Sequence, residues 1–317
     1  MEAFFIMFRN VLLFSALAIP GYIMVKSGLV KSEQSGILSK LLMYIGMPFM
    51  IISGTVNNLV LSGELIAQLL IVAVVGLAYV LALFFLTKPL VASEKNEKTR
   101  AIMRFSSIFA NNGFLGLPLA IAVFGRSSRV FMLLIVLNII NNLLLYTLGT
   151  YLISGDKKNM SLKKALLNPV LIGFAAGIVM NLLDVKSLVP EVVTFSDHFS
   201  SIVTPISMTV LGMKLATVKL SSLFTSKRNY YVSALKLIAS PLVIVAILLA
   251  AKLLFSVSND VILAFFVAFA MPTAGLASTF TDIYNGDVEN AAVFTLGTTL
   301  FSIATIPLLF WILNCLI

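Results

Sequence analysis

The sequence predicts an all-α polytopic membrane protein: ten transmembrane helices forming two inverted five-helix repeats, with broken crossover helices at the fourth and ninth positions. Three observations carry this. The 317 residues are 60% hydrophobic and 11% charged, with a mean hydropathy of +1.06, whereas soluble domains are about a quarter charged. Apolar runs of about 18 residues or more, the length that crosses a bilayer, recur along the chain. Prolines and polar trios then recur at nearly constant spacing in the two halves.

The first span, about 4–25, is too long for a signal peptide, shows no small-residue cleavage site and runs into Lys26. The second, 35–60, is interrupted by Pro48, and 63–88 is uninterrupted. The fourth, 101–124, contains Asn111-Asn112-Gly113-Phe114-Leu115-Gly116-Leu117-Pro118. The fifth, 129–153, carries Asn138, Asn141 and Asn142, whose i, i+3, i+4 spacing shares one helical face. Residues 1–153 make the first repeat, 154–165 a short polar linker, and 166–317 the second repeat. Its spans are 166–184, 195–217 with Pro205, 230–255 with Lys236, 259–283 with Met271-Pro272-Thr273-Ala274-Gly275, and 288–316. The last carries Thr295, Thr298 and Thr299, and Trp311 suits an outer-leaflet anchor.

Pro48 and Pro205 are 157 apart, Pro118 and Pro272 are 154 apart, and the asparagine and threonine trios are offset by 157. Five spans per half is odd, so the halves insert in opposite orientations, the plan of many secondary transporters. The loops after spans 1, 3, 5, 7 and 9 share one side and, with their flanks, carry sixteen Lys and Arg. The other side has five: Arg9, Arg126, Arg129, Lys186 and Lys252. Positive charge marks the cytoplasmic face, which places both termini outside it. The net charge of +9 is therefore a topology signal and not a nucleic-acid footprint.

A spanning helix must satisfy its own backbone, because lipid offers no partners. Pro118, Gly113 and Gly116 break that rule in one half, and Pro272 with Gly275 in the other. Discontinuous helices at corresponding positions point to a midplane site. If Pro118 and Pro272 each begin a second half-helix, two N-termini with about half a positive charge each converge on one region. That favours an anion. The expected substrate contacts are Asn111, Asn112, Gly113, Gly116, Pro118, Pro272, Thr273 and the trios Asn138, Asn141, Asn142 and Thr295, Thr298, Thr299. Kinking and close helix packing are the competing role, most evenly matched at Pro48 and Pro205.

These stretches, with Leu167-Asn168-Pro169 and the tail Thr298-Thr299-Leu300-Phe301-Ser302-Ile303, resemble the auxin efflux carrier family of PIN-FORMED plant proteins and their bacterial malate or malonate permease relatives. The likeness runs in order along essentially the whole chain. It implies a scaffold of helices 1, 2, 6 and 7, and a transport domain of helices 3–5 and 8–10 moving as an elevator. It also implies a homodimer, a cell-membrane location and a substrate role for either Asn111 or Asn112. The absence of a large central loop looks bacterial.

No cofactor or metal is expected. Cys315 is the only cysteine, and the predicted core has no carboxylate for a sodium site, only Asp282 and Asp287 near a membrane edge. Lys236 could attract an anion, but snorkelling to the interface is the preferred expectation. His198 is expected to be an interfacial polar residue. No metalloprotease or nucleophile-elbow motif appears, so an enzyme is not expected. An anion channel or a non-transporting sensor of organic acids is the alternative to a uniport or proton-linked carrier of auxin-like or mono-/dicarboxylate anions.

Overall fold

The computed structural model describes residues 2–59, 62–255 and 257–317; Val60, the predicted end of the second span, lies outside them. The first half contains α1 (Glu2–Ala16), α2 (Ile19–Lys26), α3 (Ser35–Leu41), α4 (Met47–Asn58), α5 (Gly63–Leu90), α6 (Glu97–Ile108), α7 (Leu117–Phe124), α8 (Arg129–Leu144) and α9 (Thr150–Ser154). After the linker come α10 (Leu162–Leu166), α11 (Pro169–Leu182), α12 (Val185–Leu188), α13 (Pro190–Ser201), α14 (Val203–Leu215) and α15 (Leu220–Thr225). The chain closes with α16 (Lys227–Ala234), α17 (Ser240–Lys252), α18 (Asn259–Ala270), α19 (Ala277–Ile283) and α20 (Val288–Asn314). Side-chain caps mark the starts: Ser62, Asn96, Ser128, Asn168, Ser226, Ser258 and Asp287 each accept from a backbone N–H one turn in, relieving donors that a helix N-terminus leaves unpaired.

Among the described residues, seven helical stretches are long and apolar enough to cross a membrane: Phe4–Lys26, Ser32–Asn57, Gly63–Leu90, Arg129–Ser154, Lys157–Leu182, Lys227–Lys252 and Val288–Asn314. The three other predicted spans are each divided. The fourth is α6 and α7 with a break between, the seventh is α13 and α14 parted at Ile202, and the ninth is α18 and α19.

Proline sets much of this local geometry. π-Helical turns at 42–46, 112–116 and 235–239 each end one residue before an X-Pro pair: Met47-Pro48, Leu117-Pro118 and Ser240-Pro241. Proline lacks the N–H and crowds the carbonyl four residues back, and a wider turn relieves that crowding. Thus the Leu117 N–H donates to the Asn112 carbonyl, and the Phe114 carbonyl, which Pro118 cannot serve, accepts instead from Ser207 Oγ at 3.0 Å. The expectation that Pro118 and Pro272 begin the second half-helices is corrected. The first resumes at Asn112, well before Pro118, and Pro272 lies in extended chain, with helix resuming only at Ala277. The residue before a proline is driven out of the α region, and Met271 accordingly sits at φ −66, ψ 146.

Two packing sets emerge. α4 lies against α11 and α13, and α2 against α14; α8 lies against α5 and α18, α18 against α17, and α20 against α16. α1 joins them, packing on α20. Close approach depends on glycine. A Cβ on Gly21 would fall on the Thr209 carbonyl oxygen, and one on Gly212 on that of Ala18, so α2 and α14 meet backbone to backbone.

The ends of the bundle are tied by polar contacts. At one end Arg228 pairs with Glu94 at 2.6 Å, and Thr99 Oγ1 donates to Asp287 at 2.6 Å. Burial alone would push the Asp287 carboxyl up, but hydrogen bonds from Thr99 and Asn290 outweigh it and hold it below its ordinary value. At the other end Arg129 pairs with Glu64 at 2.7 Å. Arg126 there pairs with Asp197, which also accepts from Ser53 Oγ. His198, beside that pair, is exposed.

A candidate substrate site at the helix crossing

The two breaks meet. They run antiparallel, and Ala110 faces Thr273 in a β-bridge. The Asn111 N–H donates to the Pro272 carbonyl at 2.8 Å, and the Ala274 N–H to the Phe109 carbonyl at 3.0 Å. A two-strand ribbon this short leaves its outer edges unpaired at membrane depth, where an unmet backbone group costs several kcal/mol. Both edges are capped by side chains. Asn141 Nδ2 donates to the Ala110 carbonyl at 3.1 Å, and its Oδ1 accepts from the Ala110 N–H at 3.3 Å. Thr298 Oγ1 accepts from the Thr273 N–H at 3.1 Å. Asn141 and Thr298, equivalent by the 157-residue offset, thus hold the two halves of the same bridge.

The carbonyls at the end of α6 are also met from afar. Ser106 accepts from Thr273 Oγ1 at 3.0 Å, and Ile108 from Lys236 Nζ at 3.2 Å. Lys236 is fully buried, so it does not snorkel. Its position in the π-helical turn Leu235–Ala239 turns it toward α6 and α18, not toward the membrane surface.

A cavity of about 70 Å³ opens beside the crossing, room for several waters at about 10–15 Å³ each. Ala110, Asn111, Gly113 and Phe114 line it from one break, and Ala274, Gly275 and Leu276 from the other. Asn138, Asn141, Asn142 and Tyr146 come from the fifth span, and Met43, Met47, Asn168 and Val170 complete the wall. Both resuming helices therefore begin at one cavity, as their N–H groups and dipoles require for an anion site. Asn142 Nδ2 donates to Asn138 Oδ1 at 3.1 Å, while Asn138 Nδ2 is buried without a partner.

The expected residues divide. Asn111, Gly113, Asn138, Asn141 and Asn142 are brought together at the cavity; the other candidates do not line it. Asn112 is buried beside it. Gly116 lets Met271 approach, since a Cβ there would stand 3.2 Å from Met271 Cγ. Pro118, Pro272 and Thr273 shape the crossing backbone instead. Thr298 and Thr299 return their hydroxyls to carbonyls of their own helix, at 2.7 Å each, and Thr295, like Thr298, is buried. Short hydroxyls fold back in this way where amides reach outward.

Two contributors went unmarked as candidates in the sequence. Asn168, within the quoted Asn-Pro motif, both caps α11 through the Val170 N–H at 2.9 Å and lines the cavity. Lys214 Nζ donates to the carbonyl of cavity-lining Gly275 at 3.4 Å; its place near a loop made it one more basic flank.

Seven helical stretches long and apolar enough to span a bilayer, with two further, interrupted helices crossing beside an asparagine-lined cavity, are the architecture expected of a membrane transporter. The comparison with known families agrees. The chain belongs to the membrane transport protein family, the auxin efflux carrier-type transporters, whose model matches residues 5–312. It is also similar to an uncharacterised transporter of Methanocaldococcus jannaschii, 27% identical over 312 residues, covering 96% of this chain and 97% of that protein.

Proposed function

We propose that the protein is a secondary carrier of small organic anions, either auxin-like acids or mono- and dicarboxylates such as malate, working by uniport or proton linkage. The observation that carries this is the convergence of both resumed helices on one asparagine-lined cavity without a carboxylate. In this reading the chain crosses a cell membrane ten times as two inverted repeats, with both termini outside. The equivalent roles of Asn141 and Thr298 support the repeat. The packing of α2 and α4 with α11, α13 and α14 supports a scaffold apart from an elevator-type transport domain. A homodimer joins through that scaffold, whose α11 exposes Ile172, Val179 and Leu182.

The test is electrogenic transport in proteoliposomes over a panel of organic acids, with and without a pH gradient. A saturable current for one acid is expected. Losing one hydrogen bond to a charged ligand costs about 1.5–3 kcal/mol, so Asn111→Ala is expected to weaken half-saturation about ten- to a hundredfold. Its backbone bond to Pro272 is untouched, so folding is preserved. Lys214→Gln is expected to raise the half-saturation constant about three- to fivefold at low salt, and less at high salt, as a partly screened charge should. Movement of cations or neutral solutes in place of acids would sink the anion reading; an unsaturable ohmic current would mean a channel, and binding without flux a sensor.

A further inference from the structure

Lys236 is among the largest fully buried side chains in the protein, and it has a role that anion attraction does not describe. Its turn packs against α6, α16, α17, α18 and α20. α16 and α17 carry no acid, and the acids of the other three, Glu97, Asp260 and Glu289, all sit in first turns. At 1.5 Å per residue those carboxylates stand roughly 13 Å or more along their helices from the crossing. An unpaired ammonium deep in a membrane protein is costly, so its counter-charge must come from elsewhere.

The helix ends supply it. α6 stops at Ile108 and α18 at Ala270, both at the crossing. Lys236 Nζ bonds the last carbonyl of α6 at 3.2 Å and stands 6.0 Å from the ring of Phe269, in the last turn of α18. Each C-terminus carries about half a negative charge, so the pair amounts to about one. A single ammonium neutralises it. Tyr79, 157 residues earlier, closes the same corner: its ring meets Phe269 edge-on at 4.7 Å and its hydroxyl donates to the Ser240 carbonyl at 2.6 Å.

We propose that Lys236 is a tethered counter-ion, filling the negative pole of the crossing where a free monovalent cation would otherwise be needed, so that transport proceeds without one. It is a positioning residue: it fixes the charge of the crossing and does not touch the substrate. The proposal rests on the anion-carrier reading for its transport consequence, but not for its binding consequence.

The test therefore has both kinds of readout. Wild type is expected to transport at an unchanged rate when N-methylglucamine replaces every alkali cation. Lys236→Met keeps the volume without the charge, and is expected to lose about tenfold or more in transport, the size of one buried charge–dipole interaction. Lys236→Ala leaves a gap of ammonium size. Ethylammonium or sodium chloride, and not choline chloride, is expected to raise its thermal stability and restore its transport, with no such effect on wild type. An alkali-cation requirement in wild type would overturn the proposal. So would Lys236→Met activity within about twofold of wild type, or Lys236→Ala indifferent to ethylammonium. If wild type moves no organic acid, the anion reading fails while the stabilisation measurement still decides the counter-ion. Should both variants fail to fold, the cation dependence of wild type decides.

Discussion

Replacing Asn141 by leucine is expected to abolish transport and to lower stability by about 2–6 kcal/mol, because it strands two buried backbone groups at about 1–3 kcal/mol each. The amide of Asn141 satisfies both the N–H and the carbonyl of Ala110, and leucine of similar size satisfies neither. Ala110 gives neither group to the bridge with Thr273, whose two bonds belong to Asn111 and Phe109, so both of its polar groups are met by the Asn141 amide. Thermal unfolding in detergent measures the loss. The comparison with Asn111→Ala makes the result specific: that change should weaken half-saturation about ten- to a hundredfold at unchanged stability. Two cavity asparagines would then separate, one holding the crossing and one serving the ligand. Equal melting temperatures for Asn141→Leu and wild type would show that Asn141 does not hold the bridge.

Gly212→Ala is the second large effect. Its new methyl would fall on the Ala18 carbonyl oxygen, which is backbone and cannot rotate away, so α14 must withdraw from α2. Overpacking costs about 1–3 kcal/mol and sometimes more, and this site belongs at the top of that range. Gly36→Ala is the control. Nothing lies within 4 Å of its Cβ position, and a helical Gly→Ala change without strain stabilises by about 0.4–1 kcal/mol. Opposite signs from two glycines, measured in one unfolding series, would establish the backbone contact. A neutral Gly212→Ala would mean that α2 and α14 are not in contact in solution.

The breaks in the fourth and ninth spans were legible because proline, glycine and asparagine inside an apolar run contradict the continuous helix that lipid demands. Where each helix resumes was not. Pro118 follows a π-helical turn that already starts at Asn112, and the carbonyl it frees finds its donor in Ser207, 93 residues away in sequence. The asparagine trio reached the cavity as its spacing suggested, but the matching threonine trio did not, because equal spacing conceals unequal reach. Lys236 was misread for a related reason. Distance from a span's end suggests snorkelling, and only the tertiary partners of that face, α6 and α18, reveal a buried ammonium. Lys214 was hidden by position, being one basic residue among many beside a loop.

The bridge between Ala110 and Thr273 also provides an internal clock. Its two linking amides, of Asn111 and Ala274, bond across the crossing and not within a helix, so they can exchange with deuterium only when the crossing itself separates. If the broken helices travel as a single rigid body, these amides stay protected through thousands of turnovers, exchanging no faster in the presence of substrate than in its absence. If each cycle parts the two strands, their exchange accelerates in step with flux. Mass spectrometry of peptides containing residues 109–116 and 271–276 during active transport would therefore tell sliding from unzipping without any change to the sequence.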